Sequence, residues 1–309
     1  MSTPTRIFCV VVNWNGGQQN LRCLESLMAE GVPPERIVFV DNASIDGSLE
    51  EVRARTPGLV VIENDSNFGF GEGANRGARR ALEEGADAIF FINNDLELEA
   101  GCLAILVSHL GANPRVGICG PRVLQKADPD RVWCAGGFLT WRQNLSTLRG
   151  YKRRDGPRYR TEMVVDYVPG CALLARADVL YRIGGFDAAY FAYMEDVDLC
   201  LRAKEAGWSV SLVGEASCLH ASSSSTGGGY NPRRKYMMGV NSIWFLRQHG
   251  GPSAWARFLV FDVLSLPLLF VWAVCHGEGP AVVAKARGIF DGLRGRRVTA
   301  AAAGSPPAG

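Results

Sequence analysis

The sequence predicts an α/β fold, a mostly parallel sheet flanked by helices, followed by a C-terminal helical appendage. Between Ile7 and Ile92 short apolar runs alternate with amphipathic stretches, the pattern of strand–helix units. The runs are apolar throughout, as strands covered on both faces should be. Each closes on polar residues, and open α/β sheets bind ligands at the carboxyl ends of their strands.

In order, IFCVVV (7–12) predicts a first strand, Gln18–Ala29 a helix, IVFVD (37–41) a strand and Leu49–Arg55 a helix. LVVIE (59–63), Gly73–Glu84 and AIFFIN (88–93) continue the alternation. From Val116 to Val213 the texture loosens around Gly136-Gly137 and Gly184-Gly185, giving mixed short strands before a helix near Asp196–Ala206. The serine- and glycine-rich stretch Ser222–Gly229 reads as a mobile loop. Helices are expected at Arg233–His249, Ala254–Cys275 and Pro280–Leu293, with a small-residue tail from Ala300 expected to be disordered. The expected division is a catalytic domain at 1–228, with a nucleotide-binding half to about 96 and an acceptor half beyond it, then a helical region at 229–299 and a tail at 300–309.

A chain of 309 residues can bury one large core with a small appendage. Its 33 basic and 31 acidic residues leave a formal charge of +2, so no whole-chain field draws it to nucleic acid. Nine cysteines sit singly without a CxxC pair, which predicts packed, reduced thiols and a cytosolic address. The first apolar run is too short for a signal-peptide core and reads as a core strand.

Five clusters carry candidate chemistry. Asn13, at the end of the first strand, and Asp41 and Ser44, at the end of the second, fall on neighbouring strand ends. A carboxylate there can accept from a pyrimidine N–H or a ribose hydroxyl; equally, Asp41–Ser48 can form a turn and helix cap. The segment Asn64–Gly77 is rich in glycine, which lets backbone approach a ligand closely, but its Gly71-x-Gly73-x-x-x-Gly77 spacing is one residue too long for a dinucleotide fingerprint. Asn93-Asn94-Asp95 ends a buried strand in an acid able to hold Mg²⁺ or Mn²⁺ against a diphosphate, or else caps the helix leading to Leu110. Glu195, Asp196 and Asp198 open a helix. They suit its dipole, and Asp198 can pair with Arg202, but the adjacent Glu195-Asp196 is less well explained that way. An ionised Asp196 can deprotonate an acceptor hydroxyl. His220, the fifth feature, follows an apolar strand, where a lone histidine is usually structural.

In this order VVNWNG, VDNASIDGS, NFGFGEGANRG, NND, GCALLAR, YFAYMEDVDLCLR and His220 resemble the family-2 glycosyltransferases, and in particular their rhamnosyltransferase-like branch. The resemblance implies a GT-A fold and an inverting reaction with Asp196 as base beside Glu195. It implies a divalent cation, Mg²⁺ or Mn²⁺, held by Asp95, His220 and the Asn93 position, and a donor site comprising Val12, Asn13, Asp41, Ser44, Asn67, Asn75 and Asn94. Where the family carries a second aspartate in its acidic triplet, this chain has asparagine, which weakens the expected metal grip. The implied partners are a dTDP- or UDP-linked sugar, rhamnose first, and a glycan or lipid-linked acceptor. The QxxRW signature of processive synthases is absent, so single or few additions are expected. The glycine-rich, arginine-containing opening motif of a sugar-phosphate nucleotidyltransferase is not found near Val12, and a non-catalytic sugar-nucleotide binder leaves Glu195-Asp196 and His220 unexplained.

Downstream, Lys235–Arg247 resembles the stretch after the catalytic domain in the same branch, and Arg233, Arg234 and Lys235 are either a clamp on the donor diphosphate or a solvated charge run. Phe258–Cys275 is apolar but short for a bilayer span and interrupted by Asp262 and Pro267. With Lys285, Arg287, Arg294, Arg296 and Arg297 beyond it, the region suits peripheral attachment to an anionic inner membrane face, or packing on the catalytic domain.

Overall fold

The computed structural model describes residues 4–221 and 230–301. The expectations for the Ser222–Gly229 loop, for the domain boundary beside it and for most of the C-terminal tail lie outside the described residues. Along the chain run β1 (Ile7–Asn13), α1 (Gln19–Ala29), β2 (Ile37–Asp41), α2 (Ser48–Arg55), β3 (Val60–Glu63), α3 (Gly69–Glu83), β4 (Ala88–Asn93), β5 (Leu96–Leu98) and α4 (Cys102–Ala112). Then come β6 (Val116–Gln125), β7 (Asp128–Cys134), β8 (Gly137–Leu139), β9 (Ser146–Leu148), β10 (Met163–Val164), β11 (Ala172–Arg176), α5 (Ala177–Ile183), α6 (Glu195–Glu205) and β12 (Ser209–His220). The C-terminal helices are α7 (Pro232–His249), α8 (Pro252–Phe258), α9 (Leu266–Cys275) and α10 (Gly279–Leu293).

The main sheet runs β10-β12-β6-β11-β4-β1-β2-β3, with β5 added on β12 and β7 on β6. The four strands β3, β2, β1 and β4 are parallel, β11 is antiparallel to β4 and β6, and β12 is parallel to β6. Strand order reverses at β1, so the crevice beyond the ends of β1 and β4 is the place where such sheets bind ligands. Register puts Asn13 beside Asp41 and Val12 beside Asn93, bringing separate sequence clusters onto one rim.

Alternate residues of β1 enter opposite cores: Phe8 and Val10 one, Cys9 and Val11 the other. Leu21, Leu24 and Leu27 of α1, Leu49 and Val52 of α2, and Leu103 and Leu106 of α4 cover one face. Ala74, Ala78 and Ala81 of α3, Val179 of α5 and Leu199 of α6 cover the other. Ile243, Phe245 and Leu246 of α7, Phe258 of α8 and Ile289 of α10 join this second core, so the C-terminal helices are built onto the catalytic body. Eight of the nine cysteines are buried and all nine are free thiols; Cys275 is the exposed one.

Two expectations change. The glycines of α3 serve packing: a Cβ on Gly73 would come 2.9 Å from Val12 Cγ1, and one on Gly77 would come 2.4 Å from Val10 Cγ1. They let the helix lie close on β1. The apolar stretch expected as one helix from Ala254 to Cys275 is broken by a π-helical turn at Leu259–Val263, after which Pro267 sits in the first turn of α9. Asp262 lies in that turn with its carboxylate bonded into the protein, and π-turns and first-turn prolines both redirect a helix without leaving a backbone N–H unsatisfied.

Candidate active site

A cleft of about 420 Å³ opens at the carboxyl ends of β1 and β4. Val12, Asn67, Asn93, Asn94, Asp95, Glu195, Asp196 and His220 all line it. The structure thus gathers eight of the twelve sequence-derived site residues around one space.

The others lie behind its wall. Asn13 is fully buried, and its Nδ2 donates to Asp41 Oδ1 at 2.7 Å and to Ser44 Oγ and Ser48 Oγ at 3.0 Å each. Asp41 Oδ2 accepts from the Ser44 N–H at 2.9 Å. Asn13 Oδ1 accepts from Asn94 Nδ2, also at 2.9 Å. The β2 end is therefore a saturated network that fixes the position of Asn94 on the cleft wall. Gly16 is required beside it, because a Cβ there would fall 2.0 Å from Asn94 Nδ2. Asn75, expected on the donor, holds two segments together: its Nδ2 donates to Phe186 O at 2.8 Å and its Oδ1 accepts from Phe186 N at 2.9 Å. Asn42, which the sequence reading left without a role, does line the cleft, with its amide tied to Gly69 O at 3.0 Å and to Asn64 at 2.7 Å.

Asn93-Asn94-Asp95 leads into β5, while α4 begins seven residues after Asp95, with Gly101 as its N-cap. The helix-cap alternative for Asp95 is therefore excluded. The antiparallel pairing of β5 with β12 sets Leu96 opposite His220, which carries Asp95 to the histidine. Asp95 Oδ1 lies 3.3 Å from His220 Nε2, and both residues are buried. Asp95 Oδ1 and His220 Nδ1 have no hydrogen-bond partner among the described residues. A buried carboxylate oxygen without a partner is costly unless something binds it. A carboxylate oxygen and an imidazole nitrogen on residues that line the cleft are donor types that a divalent cation takes beside phosphate oxygens and water. Among the described residues no three His, Cys, Asp or Glu side chains converge on one point, so they form no metal cluster by themselves. The Trp133 ring packs edge-on against His220, 4.5 Å between centroids, and holds the imidazole in place.

Glu195 and Asp196 open α6, and the backbone reaches them through left-handed residues: Phe191 (φ 61°), Tyr193 (φ 71°) and Met194 (φ 76°). Non-glycine residues pay for this conformation and keep it only where surroundings enforce it. Asn241 of α7 supplies that restraint: its Nδ2 lies 2.8–2.9 Å from the carbonyls of Tyr190, Ala192 and Tyr193. From the other side Phe191 O accepts from Phe70 N at 2.8 Å, and Gly69 (φ 82°) has no room for a Cβ, which would lie 2.3 Å from that oxygen. Asn241 is a site-building residue that the sequence reading missed; its one signal is an amide amid the apolar residues of a helix.

Asp196 is half-buried, and its carboxylate accepts from Gly170 N at 2.9 Å and Val197 N at 2.8 Å. Burial raises its pKa above the usual aspartate range, and the two N–H groups restrain the rise. Glu195 is more deeply buried, and its Oε2 has no partner among the described residues. Burial first, and then the adjacent Asp196 charge, push its pKa well up. The pair thus divides into a carboxyl that favours its neutral form and one poised to take a proton. Asp198 belongs to the scaffold: fully buried, it pairs with Arg202 at 2.6 Å, the expected i+4 partner, and with His249 of α7 at 2.8 Å. Of the basic trio, Arg234 lines the cleft over the Tyr193 ring, while Lys235 Nζ lies 4.2 Å from the centre of the Tyr230 ring and Arg233 begins α7.

A nucleotide-binding type of sheet with a strand-end acid, a facing histidine and an acidic pair around one cleft defines a glycosyltransferase of the GT-A fold. The family model for Glycosyl transferase family 2 matches residues 8–180, more than half of the chain. The chain belongs to that family. It is 31% identical over 242 residues to an N-acetylglucosaminyl-diphospho-decaprenol L-rhamnosyltransferase of Mycobacterium tuberculosis, covering 71% of this chain and 76% of that protein. It is 40% identical over 226 residues to the rhamnosyltransferase WbbL of Escherichia coli strain K12, covering 69% and 83%. Among solved structures it is similar to a mannosyltransferase of Pyrobaculum calidifontis in complex with GDP-Man and Mn²⁺, at TM-score 0.62 and 16% identity, covering 96% of this chain and 89% of that one. It is also similar to GalNAc-T7 with UDP, GalNAc and Mn²⁺, at TM-score 0.60 and 12% identity, covering 79% and 51%.

Proposed function

We propose that this glycosyltransferase moves rhamnose from a dTDP-linked donor to a hydroxyl of a lipid-linked acceptor, with inversion and with a divalent cation bound. The observation that carries the proposal is that one cleft joins Asp95 and His220, 3.3 Å apart, to the half-buried Asp196 carboxylate. Two relatives of 31% and 40% identity are rhamnosyltransferases, one named for a decaprenol-linked acceptor, and this supports the choice of sugar and acceptor.

In this reading Asp196 takes the proton of the acceptor hydroxyl as its oxygen bonds to the anomeric carbon and the bond from that carbon to the diphosphate oxygen breaks. Attack from the face opposite the leaving group inverts the centre. Asp95 and His220 would hold Mg²⁺ or Mn²⁺, which when bound supplies positive charge for the departing diphosphate. Arg234 is placed to add a second positive charge to that phosphate. Val12, Asn42, Asn67 and Asn94 orient the nucleoside and sugar from the β1–β4 side.

The C-terminal helices support a site of action at the cytoplasmic face of a membrane. Within Pro252–Cys275 an 18-residue stretch has a mean hydropathy of 2.3, and 17% of it is buried. Leu264, Leu268, Val271, Trp272 and Val274 stand exposed on it, and Phe290 and Leu293 on α10. The charged side chains exposed in 252–297 are arginines: Arg257, Arg287, Arg294 and Arg296. An apolar surface with an arginine rim fits the interface of an anionic bilayer. Incubation with a panel of nucleotide sugars, with Mn²⁺ or a chelator, tests the reaction. Transfer from dTDP-rhamnose lost on chelation is expected, and equal activity in the chelator would remove the metal from the account.

A further inference from the structure

We infer that Asp262 and Lys285, buried in the C-terminal helices, are positioning residues for the acceptor side of the cleft and act through Asn144. The inference rests on the transfer reading above. Between β8 and β9 the chain turns through three left-handed residues, Trp141 (φ 57°), Asn144 (φ 58°) and Leu145 (φ 63°). Bonds within the turn, Leu145 N to Arg142 O at 2.7 Å and Thr140 N to Leu145 O at 2.9 Å, close it locally. They leave the N–H and side chain of Asn144 to be held from elsewhere.

Both are held by the C-terminal helices. The Asn144 N–H donates to Asp262 Oδ2 at 2.9 Å, and Lys285 Nζ donates to Asn144 Oδ1 at 3.1 Å. Lys285 and Asp262 also pair with each other, each only 1% exposed. Asn144, Ser146 and Leu148 form a wall of the cleft next to Tyr167, whose hydroxyl donates to Ser146 Oγ at 3.2 Å. In the transfer reading this wall, which lies beyond residue 96 in the sequence, belongs to the half that receives the acceptor.

A buried ion pair stabilises a fold no better than well-packed apolar side chains of the same volume. What it adds here is direction, since the carboxylate accepts from one particular peptide N–H in a strained turn. Asp262 also lies in the π-helical turn whose other side chains Leu259, Val260 and Phe261 are exposed. One contact therefore ties the apolar face to the wall that would receive a lipid-linked acceptor.

Two double variants of the full chain test this, each leaving no buried charge alone. Asp262→Asn with Lys285→Met keeps an oxygen for the Asn144 N–H, and Asp262→Leu with Lys285→Met does not. With dTDP-rhamnose and N-acetylglucosaminyl-diphospho-prenol as probes, the leucine variant is expected to raise the acceptor KM about tenfold, the worth of one charge-assisted hydrogen bond. The asparagine variant restores it to within about threefold, and the donor KM stays unchanged in both. Amide exchange at 141–146 is expected to quicken about tenfold in the leucine variant while α7 and α10 stay protected. Unchanged exchange in that turn, or a loosened turn with an unaltered acceptor KM, overturns the inference. A wild-type enzyme that turns over none of the probes counts against the transfer reading instead, and the exchange result then decides the positioning claim by itself.

Discussion

Glu195 and Asp196 are adjacent in sequence and unlike in surroundings, and that difference sets their chemistry. Glu195, buried beside a second acid with one oxygen that has no partner among the described residues, has its pKa pushed well up, which favours the neutral form. Glu195→Gln mimics that favoured form, and kcat is expected to stay within about tenfold of wild type. Asp196→Asn removes the base and is expected to lower kcat by about 10²- to 10⁴-fold with donor affinity retained, which steady-state kinetics and calorimetry check. Because burial raises the Asp196 pKa, kcat/KM should fall on acidification at a pH above the ordinary aspartate range. The stability consequence of Glu195 has the opposite sense. A carboxyl whose pKa is raised on folding stabilises the protein below its unfolded pKa, and that contribution is lost as pH rises through the folded value. Glu195→Gln should thus flatten the decline of stability with pH above the ordinary glutamate range in denaturant titrations, and an unchanged slope would count against a neutral Glu195. At this scale the residue types were legible but their assignments were not. Taken alone, Asp95 read first as a helix cap until β5, three residues long, separated it from α4. Asn75 read as a ligand contact until both ends of its amide met the Phe186 backbone.

The strand–helix alternation to β4 was readable because the apolar runs of β1, β2 and β4 are buried on both faces and the helices between them each pack an apolar side on the sheet. The segment Phe191–Met194 was not readable, since three non-glycine residues in left-handed conformation have no local cause. Their cause is Asn241, about fifty residues downstream on α7. Asn241→Ala leaves those carbonyls unrestrained and is expected to lower kcat about tenfold or more, with a smaller change in donor KM. Equal loss of both parameters would point to general destabilisation, which a melting curve separates. The contact of α7 with α10 depends on small residues: a Cβ on Gly288 would fall 2.2 Å from Tyr236 O, and one on Gly239 would fall 2.5 Å from Lys285 O. Gly288→Val should cost about 1–3 kcal/mol through overpacking, measured by chemical denaturation.

The described residues form a ten-stranded sheet with two covered faces, a small two-stranded sheet, and a C-terminal helical layer that is both part of the core and bearer of an apolar surface. From sequence, membrane attachment and docking on the catalytic body stood as alternatives, because hydropathy does not say which side of a helix faces inward. The structure shows the docking, with Asp262 and Ala273 turned into the protein, and it leaves Leu268 and Val271 outward, where the proposed membrane contact would fall. Wild-type protein is expected to float with anionic vesicles and to release in part at high salt. Leu268→Glu with Val271→Glu should abolish flotation without loss of fold, and full solubility of wild type at low and high salt would remove the membrane from the account. The central claim, a transfer reaction run by Asp196 in the Asp95–His220 cleft, is tested most directly by product formation from dTDP-rhamnose and N-acetylglucosaminyl-diphospho-prenol. Product should form with wild type and Mn²⁺, and disappear with Asp196→Asn even though that variant still binds dTDP-rhamnose. Undiminished product from Asp196→Asn would contradict it.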